Sequence, residues 1–188
     1  MEAQYQQLED LVRAWYASVA WTHKIQEKQA EIYDSRYSIM ATINIVAASI
    51  TSVGIISLLF TDQSWVKFAS TIVSFVSVFL GAFMKTIDFS SMPKANKVAA
   101  TKLVALRDEL QTLLFKIRAC THPINELEQE FENIQQKIHT IYDEAPKTSD
   151  AAVKMAGESI KVKKDNSFSD EEIDLLLPDS LKRGAHHE

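Results

Sequence analysis

The chain has 188 residues, a formal net charge of −5 and hydrophobic residues at 46% of its positions, which suits one modest domain. Its single cysteine excludes an internal disulfide framework, and the five histidines show no metal-ligand spacing. Because it also lacks a phosphate-binding loop, a dinucleotide fingerprint and a nucleophile motif, we expect no enzyme, no cofactor, no metal site and no catalytic residue.

Residues 1–37 are predicted to form a long N-terminal cytoplasmic helix. Apolar and aromatic residues recur at helical spacing from Tyr5 through Val12 to Val19, and neither glycine nor proline occurs before Gly54. This polar beginning has no short apolar run followed by a cleavage site. We therefore expect the later apolar segments to direct membrane insertion themselves.

Residues 38–87 are predicted to form a two-helix transmembrane hairpin, with spans at 38–60 and 65–87. Each span approaches the roughly 20 apolar residues that cross a hydrocarbon core of about 30 Å. Trp65 stands where an interfacial aromatic belongs, and residues 61–64 form a tight polar turn. A buried helical hairpin in a soluble bundle is the alternative, but it would normally show a charged face.

The spans are rich in small and hydroxyl-bearing residues that fall on helical stripes. Such residues let helices pack closely and hydrogen-bond to one another, which is the simplest explanation for them. The other explanation is that one stripe lines a pore in an oligomer. A pump usually needs an ionisable residue inside a span, and neither span has one at its centre, whereas a passive pore does not need such a residue. The pore-lining candidates are Asn44, Ala48, Thr51 and Ile55 in the first span and Ser70, Ser74, Ser77 and Gly81 in the second.

Lysine and arginine near the span ends predict the orientation. Seven flank the outer ends of the hairpin, whereas only Lys67 lies on the turn side. The positive-inside rule then places both termini in the cytoplasm of a multi-pass inner-membrane protein.

Residues 88–144 are predicted to form an antiparallel pair of cytoplasmic helices. Two heptad-like seams are separated by His122-Pro123, which ends the first helix. The seams could pack within one chain beside the N-terminal helix or between neighbouring subunits. They consist of Ala99, Leu103, Leu106, Leu110, Leu113 and Ile117, and of Ile124, Leu127, Phe131, Ile134, Ile138 and Ile141.

Four basic residues, Lys94, Lys97, Lys102 and Arg107, follow the second span. Their ordinary role would be attraction to anionic lipid headgroups. An anionic nucleotide ligand is the second candidate for the same residues.

Residues 145–188 read as a flexible tail, because they lack a sustained apolar period. Within the tail, Ser169 and Glu172 form a capping box that predicts a short acidic helix at 170–177, stopped by Pro178. This helix either docks on its own domain, binds a partner or a neighbouring subunit, or acts as an inhibitory segment. The partner-docking candidates are Ile173, Leu175, Leu176 and Leu177.

The layout resembles the SLATT domain family, two-transmembrane-helix effectors of prokaryotic nucleotide-signalling antiphage defence. The resemblance rests on a helix with Trp15, Trp21 and His23 that runs into the first span, on the minimal turn, and on the amphipathic helix after the second span. It covers roughly residues 5–142 and leaves out the tail.

What the resemblance implies is an oligomeric pore in the host inner membrane. Because a two-helix subunit needs several partners to surround an axis, we expect about four or more copies. A nucleotide or oligonucleotide signal from a partner nucleotidyltransferase would open the pore, with no direct reading of duplex DNA. The alternative is a membrane-anchored scaffold that tethers a cytoplasmic partner through the C-terminal tail. A small transporter is a weaker third possibility, since the chain lacks internal repeats.

Overall fold

The fold is all-helical. The computed structural model describes residues 2–58, 63–86, 90–165, 168–178 and residue 182, with side chains for all of these except residues 2 and 53–58. The described residues contain no strand, so the all-α prediction is confirmed for them. Their helices are α1 Glu2–Leu58, α2 Ser64–Thr86, α3 Met92–Ala119, α4 Ile124–Glu144, α5 Asp150–Glu158 and α6 Asp170–Leu176, with a π-helical segment at Ser159–Lys163.

Helix α1 is a single helix of 57 residues. At 1.5 Å per residue it is about 85 Å long. Its residues up to 37 pack in a bundle with α3 and α4, and residues 38–58 pack against α2. The absence of proline from this segment allows the continuity, because every residue keeps the backbone N–H that a helix needs.

The bundle, which consists of α1 up to residue 37 together with α3 and α4, contains the main hydrophobic core. Both predicted seams meet each other and the apolar stripe of α1 inside one chain. Trp15 of α1 adds edge-to-face contacts with Phe131 and His139. The buried core residues are Leu8, Val12 and Val19 of α1, Leu103, Leu106, Leu110, Leu113 and Ile117 of α3, and Leu127, Phe131, Ile134 and Ile138 of α4.

The turn between α3 and α4 follows from its local sequence. Cys120 ends α3 in the left-handed conformation at φ 50°, and its N–H donates to the carbonyl of Ile117. Pro123 precedes the first residue of α4. The hydroxyl of Tyr5 donates to the carbonyl of His122 at 2.9 Å, which fastens the start of α1 to this turn.

The prediction of a flexible tail from residue 145 is wrong for residues 150–163. Ser149 caps α5 by accepting a hydrogen bond from the N–H of Ala152. Ala152 and Ala156 are fully buried against Ile25 and its apolar neighbours on α1. Two alanines four residues apart form a face too small to register as an apolar period, which is why the sequence pattern missed it. The remaining predicted domain boundaries stay predictions.

Candidate functional site

The contact between α1 and α2 brings several of the predicted pore residues together. Ser77 donates its hydroxyl to the Asn44 side-chain oxygen at 2.9 Å, and Ser74 donates to the Thr51 hydroxyl at 3.5 Å. A Cβ on Gly81 would lie 3.9 Å from the Asn44 amide nitrogen. These residues therefore form a polar seam inside the hairpin, where each costly polar group has a partner.

The other pore candidates lie outside that set of contacts. Ser70 is half-buried on the same stripe of α2, whereas Ala48 is exposed on α1. The side chain of Ile55 lies outside the described residues. The pore-lining role of all these positions stays a prediction, and the structure gives those in the seam a packing role within one chain.

A second hydroxyl stripe lies on the exposed face of α1. Thr42, Ser49 and Ser52 are exposed and fall within about 80° of one another around the helix axis, at 100° per residue. Each donates to the carbonyl four residues earlier, at 2.8, 2.8 and 3.0 Å. Their spacing of seven and three was readable from the sequence, but only the placement of α2 shows that this stripe is the exposed one.

The exposed face of α2 has the opposite character. It carries large aromatic side chains, including Phe68 and Phe75, which are 70% and 71% exposed. Phe79 and Phe83 stack on the same helix with centroids 6.0 Å apart. The exposed surface of α1 thus combines hydroxyls with aliphatic side chains such as Ile45 and Ile50, whereas that of α2 carries the aromatic rings.

Only one described helix, Ser64–Thr86, is long and apolar enough to cross a membrane by length and composition, and none of its residues is buried. The predicted first span extends past Leu58 into residues that the structure does not describe. The two helices are therefore observed as a packed pair, while the first transmembrane span, 38–60, and with it the two-span hairpin, stays a prediction. The turn residues Thr61 and Asp62 and the predicted span end Ile87 also lie outside the described part.

The four basic residues after α2 do not form one cluster. Lys97 lines a groove of about 360 Å³ opposite Glu27 and Glu31 of α1. Lys94 and Lys102 line a separate groove of about 310 Å³ towards the end of α4. Arg107 pairs with its neighbour Asp108 at 2.9 Å, so a single anion site built from all four is not what the fold assembles. Their ligand or headgroup role stays a prediction.

A polar layer lies where α1 approaches the hairpin. Burial lowers the pKa of His23, although the Ala100 carbonyl at 3.1 Å and the Glu27 carboxylate act in the other direction. Burial alone would also lower the pKa of Lys24, but its bonds to Glu27 and Asp165 outweigh burial and raise it. Lys24 is therefore held as a buried, charged group.

The same layer contains buried amides that the sequence analysis did not single out. Gln26, Gln29 and Asn96 are 3%, 2% and 0% exposed. Each has a charged residue next to it in the sequence, namely Glu27, Lys28 and Lys97, so the sequence pattern gives no reason to expect burial of these polar groups.

Helix α6 forms with the predicted capping box of Ser169 and Glu172. Leu175 and Leu176 are 82% and 77% exposed, and Ile173 and Leu177 are only partly covered. Their role in binding a partner stays a prediction.

A further groove among the described residues, about 690 Å³, lies between α1 and α3 and includes Arg13 and Arg118, both of which approach the carboxylate of Glu9. Within the described ranges, no group of three His, Cys, Asp or Glu side chains could hold a metal ion.

These features define a class of helical protein in which a bundle continues directly into a packed pair of apolar helices. The model of the SMODS and SLOG-associating 2TM effector domain family 4 matches residues 8–172, and the chain belongs to this family. The resemblance to SLATT domains is thereby confirmed. The match reaches well past residue 142, so the family domain includes α5, which the sequence analysis left outside it.

Family membership identifies the chain as a membrane effector of antiphage defence that is linked to SMODS and SLOG nucleotide-signalling systems. The family is not a known enzyme family. Neither a curated protein nor a solved structure is significantly similar to the chain.

Proposed function

We propose that the chain is one subunit of an oligomeric, gated pore that disrupts the host inner membrane when a nucleotide-type signal or a partner nucleotidyltransferase triggers it. The continuity of α1 is the observation that carries this proposal. A signal that moves the bundle also moves residues 38–58, because one unbroken helix belongs to both. The hairpin lies in the membrane, and both termini lie in the cytoplasm.

Helix α1 lines the axis of this pore and α2 faces lipid. The exposed hydroxyl oxygens of Thr42, Ser49 and Ser52 can still accept hydrogen bonds from water while their protons bond to the backbone. A passive pore can conduct through such a lining without an intramembrane charge. The aromatic face of α2 suits hydrocarbon or a neighbouring copy. Because two helices cannot surround a channel, about four or more copies form the ring.

The test is conductance in planar bilayers, supported by a membrane-potential dye in cells that carry the gene with its flanking genes during phage infection. Ser49→Leu and Ser52→Leu should reduce the single-channel conductance severalfold, since each replaces a hydroxyl on the axis with a bulkier apolar group. Phe75→Leu on the exposed face of α2 is the matched control and should conduct like wild type. Absence of both conductance and depolarisation in the wild type would overturn the proposal.

The alternative is a membrane-anchored scaffold that tethers a partner through α6, and the exposure of Leu175 and Leu176 favours it. A scaffold requires Leu175 and tolerates Ser49→Leu, whereas a pore gives the opposite ranking. Asn44→Leu and Thr51→Leu discriminate less well, because both also disturb the seam with α2.

A further inference from the structure

The segment 146–165, here called the latch, lies along α1 just below the hairpin. Its first half is held by two buried glutamines of α1. The side-chain nitrogen of Gln26 donates to the carbonyl of Pro146 at 3.1 Å. The side-chain oxygen of Gln29 accepts from the N–H and the hydroxyl of Ser149 at 2.7 and 2.8 Å. These bonds fix the latch at the start of α5.

The second half of the latch is held by charge and by one aromatic ring. Lys161 places its ammonium 5.7 Å from the centroid of Trp21. A Cβ on Gly157 would lie 3.5 Å from the same ring, so the backbone of α5 runs close to it. At the end of the latch, Asp165 lies 3.4 Å from the ammonium of Lys24.

The same glutamine that binds the latch also bonds α3, the helix that follows α2. Gln26 accepts a hydrogen bond from the side-chain nitrogen of Asn96 at 2.6 Å while it donates to Pro146. Asn96 lies in the second turn of α3 and is fully buried. The latch therefore bonds to the residue of α1 that connects this helix to α3.

The contact between the latch and α1 contains few large apolar side chains, as expected for an interface that can open. Its apolar part consists mainly of two alanines against Ile25, with Trp21 and Ile32 partly buried beside them. Most of its other contacts are polar groups that water can satisfy after release, so much of their bonding is exchanged rather than lost. The bundle core, by contrast, is built from large aliphatic side chains that cannot separate at such low cost.

The position of α6 gives a means of release. Four residues lie between Asp165 and Asp170, the first residue of α6, so five Cα–Cα steps join them. An extended chain of that length spans at most about 18 Å. A partner that captures α6 and moves it farther than this must pull Asp165 away from Lys24.

We propose that residues 146–165 form a releasable latch on α1 that holds Gln26 in position to bond Asn96 of α3 just before the hairpin, so that detaching it loosens the contact between α1 and α3 there. The latch itself is a property of the fold. Its consequence, opening of a membrane path, rests on the proposed pore function.

The test compares two substitutions of neighbouring residues in α5. Ala152→Glu places a carboxylate in the buried face, whereas Ala151→Glu adds the same charge at an exposed position. Hydrogen exchange of the full-length protein should accelerate at least tenfold at the α5 amides in Ala152→Glu and stay at the wild-type rate in Ala151→Glu, while α3 and α4 keep their protection in both variants. Asp165→Asn, which removes only the ion pair with Lys24, should give a smaller change of the same kind.

The distance between α1 and α3 next to the hairpin is measured separately with spin labels. With Cys120 replaced by serine, labels are attached at the exposed positions Ser35 on α1 and Lys94 on α3. Ala152→Glu should shift or broaden their distance distribution, and Ala151→Glu should not. An unchanged distribution in a variant whose α5 has lost protection would overturn the latch.

Leakage of a dye from vesicles of mixed phosphatidylethanolamine and phosphatidylglycerol completes the design. Untriggered leakage above the wild-type level in Ala152→Glu supports both the latch and the pore. A shifted label distance without leakage in any variant supports the latch and counts against the pore.

Discussion

A proline at residue 35 tests whether α1 transmits movement from the bundle to the hairpin. Ser35 is exposed and lies between the two contact regions of α1, about 9 Å along the axis from Gln29 and about 14 Å from Asn44. Proline inside a helix removes a backbone hydrogen bond and clashes with the preceding turn, at a cost of about 3 kcal/mol or more. That cost favours a broken helix at this point by roughly a hundredfold.

Because α3 and α4 hold α1 on one side of Ser35 and α2 holds it on the other, both parts should still fold. We expect Ser35→Pro to keep the free energy of unfolding of the bundle within about 1 kcal/mol of the wild-type value. It should, however, abolish depolarisation during phage infection. Ser35→Ala is the matched control and should behave like wild type, since the hydroxyl is on the exposed surface.

The measurement pairs denaturant unfolding of the purified protein in detergent with a membrane-potential dye in infected cells. Membrane content must be equal for all variants. If Ser35→Pro reaches the membrane and depolarises it as wild type does, α1 does not act as a rigid connection and the argument for gating fails. Loss of several kcal/mol from the bundle would contradict the view that Ser35 lies outside its core.

Three further predictions concern the bundle. Leu110→Ala should lower its free energy of unfolding by about 2–5 kcal/mol, because Leu110 is fully buried; Leu11→Ala at a half-exposed position is the control, and equal losses would contradict the assigned core. Cys120→Gly should raise the free energy of unfolding by about 1 kcal/mol, because glycine adopts the left-handed conformation of this position without steric cost; Cys120→Val should lower it, and the reverse order would refute the assignment. Burial lowers the pKa of His23 below 6.5, so the unfolded chain binds its proton more readily. The stability that this group contributes is present above pH 6.5 and is lost as the pH falls through the lower folded pKa, so His23→Gln should lose less stability than wild type between pH 7.5 and 5.5. Equal losses in the two proteins would argue against a buried neutral His23.

The bundle shows how much a sequence pattern can determine. Both seams contain large aliphatic residues at spacings of three and four, and such residues have no favourable place except against another apolar stripe. The pattern therefore predicted the core, whereas whether the seams meet within one chain was left open. Only the positions of α1, α3 and α4 together decided that they do.

The hairpin shows where the pattern stops being informative. Asn44, Thr51, Ser74 and Ser77 were recognisable as polar residues in apolar segments, and their helical stripes could be read directly. Which stripe faces the other helix depends on the rotation of α1 against α2. That rotation is fixed by the bonds from Ser77 to Asn44 and from Ser74 to Thr51, so the exposed stripe at Ser49 emerged only from the packed pair.

The sequence by itself determined the helices, the apolar hairpin segments and the family, because charge segregation, periodicity and capping residues are local properties of the chain. Only the tertiary structure decided that α5 belongs to α1 and that Gln26, Gln29 and Asn96 are buried together. The latch depends on small and polar residues, whose free energy of burial comes from bonds to specific distant partners rather than from their own hydrophobicity. A local sequence pattern cannot show which residues bond to each other here, because the partners lie 70 and 120 residues apart along the chain.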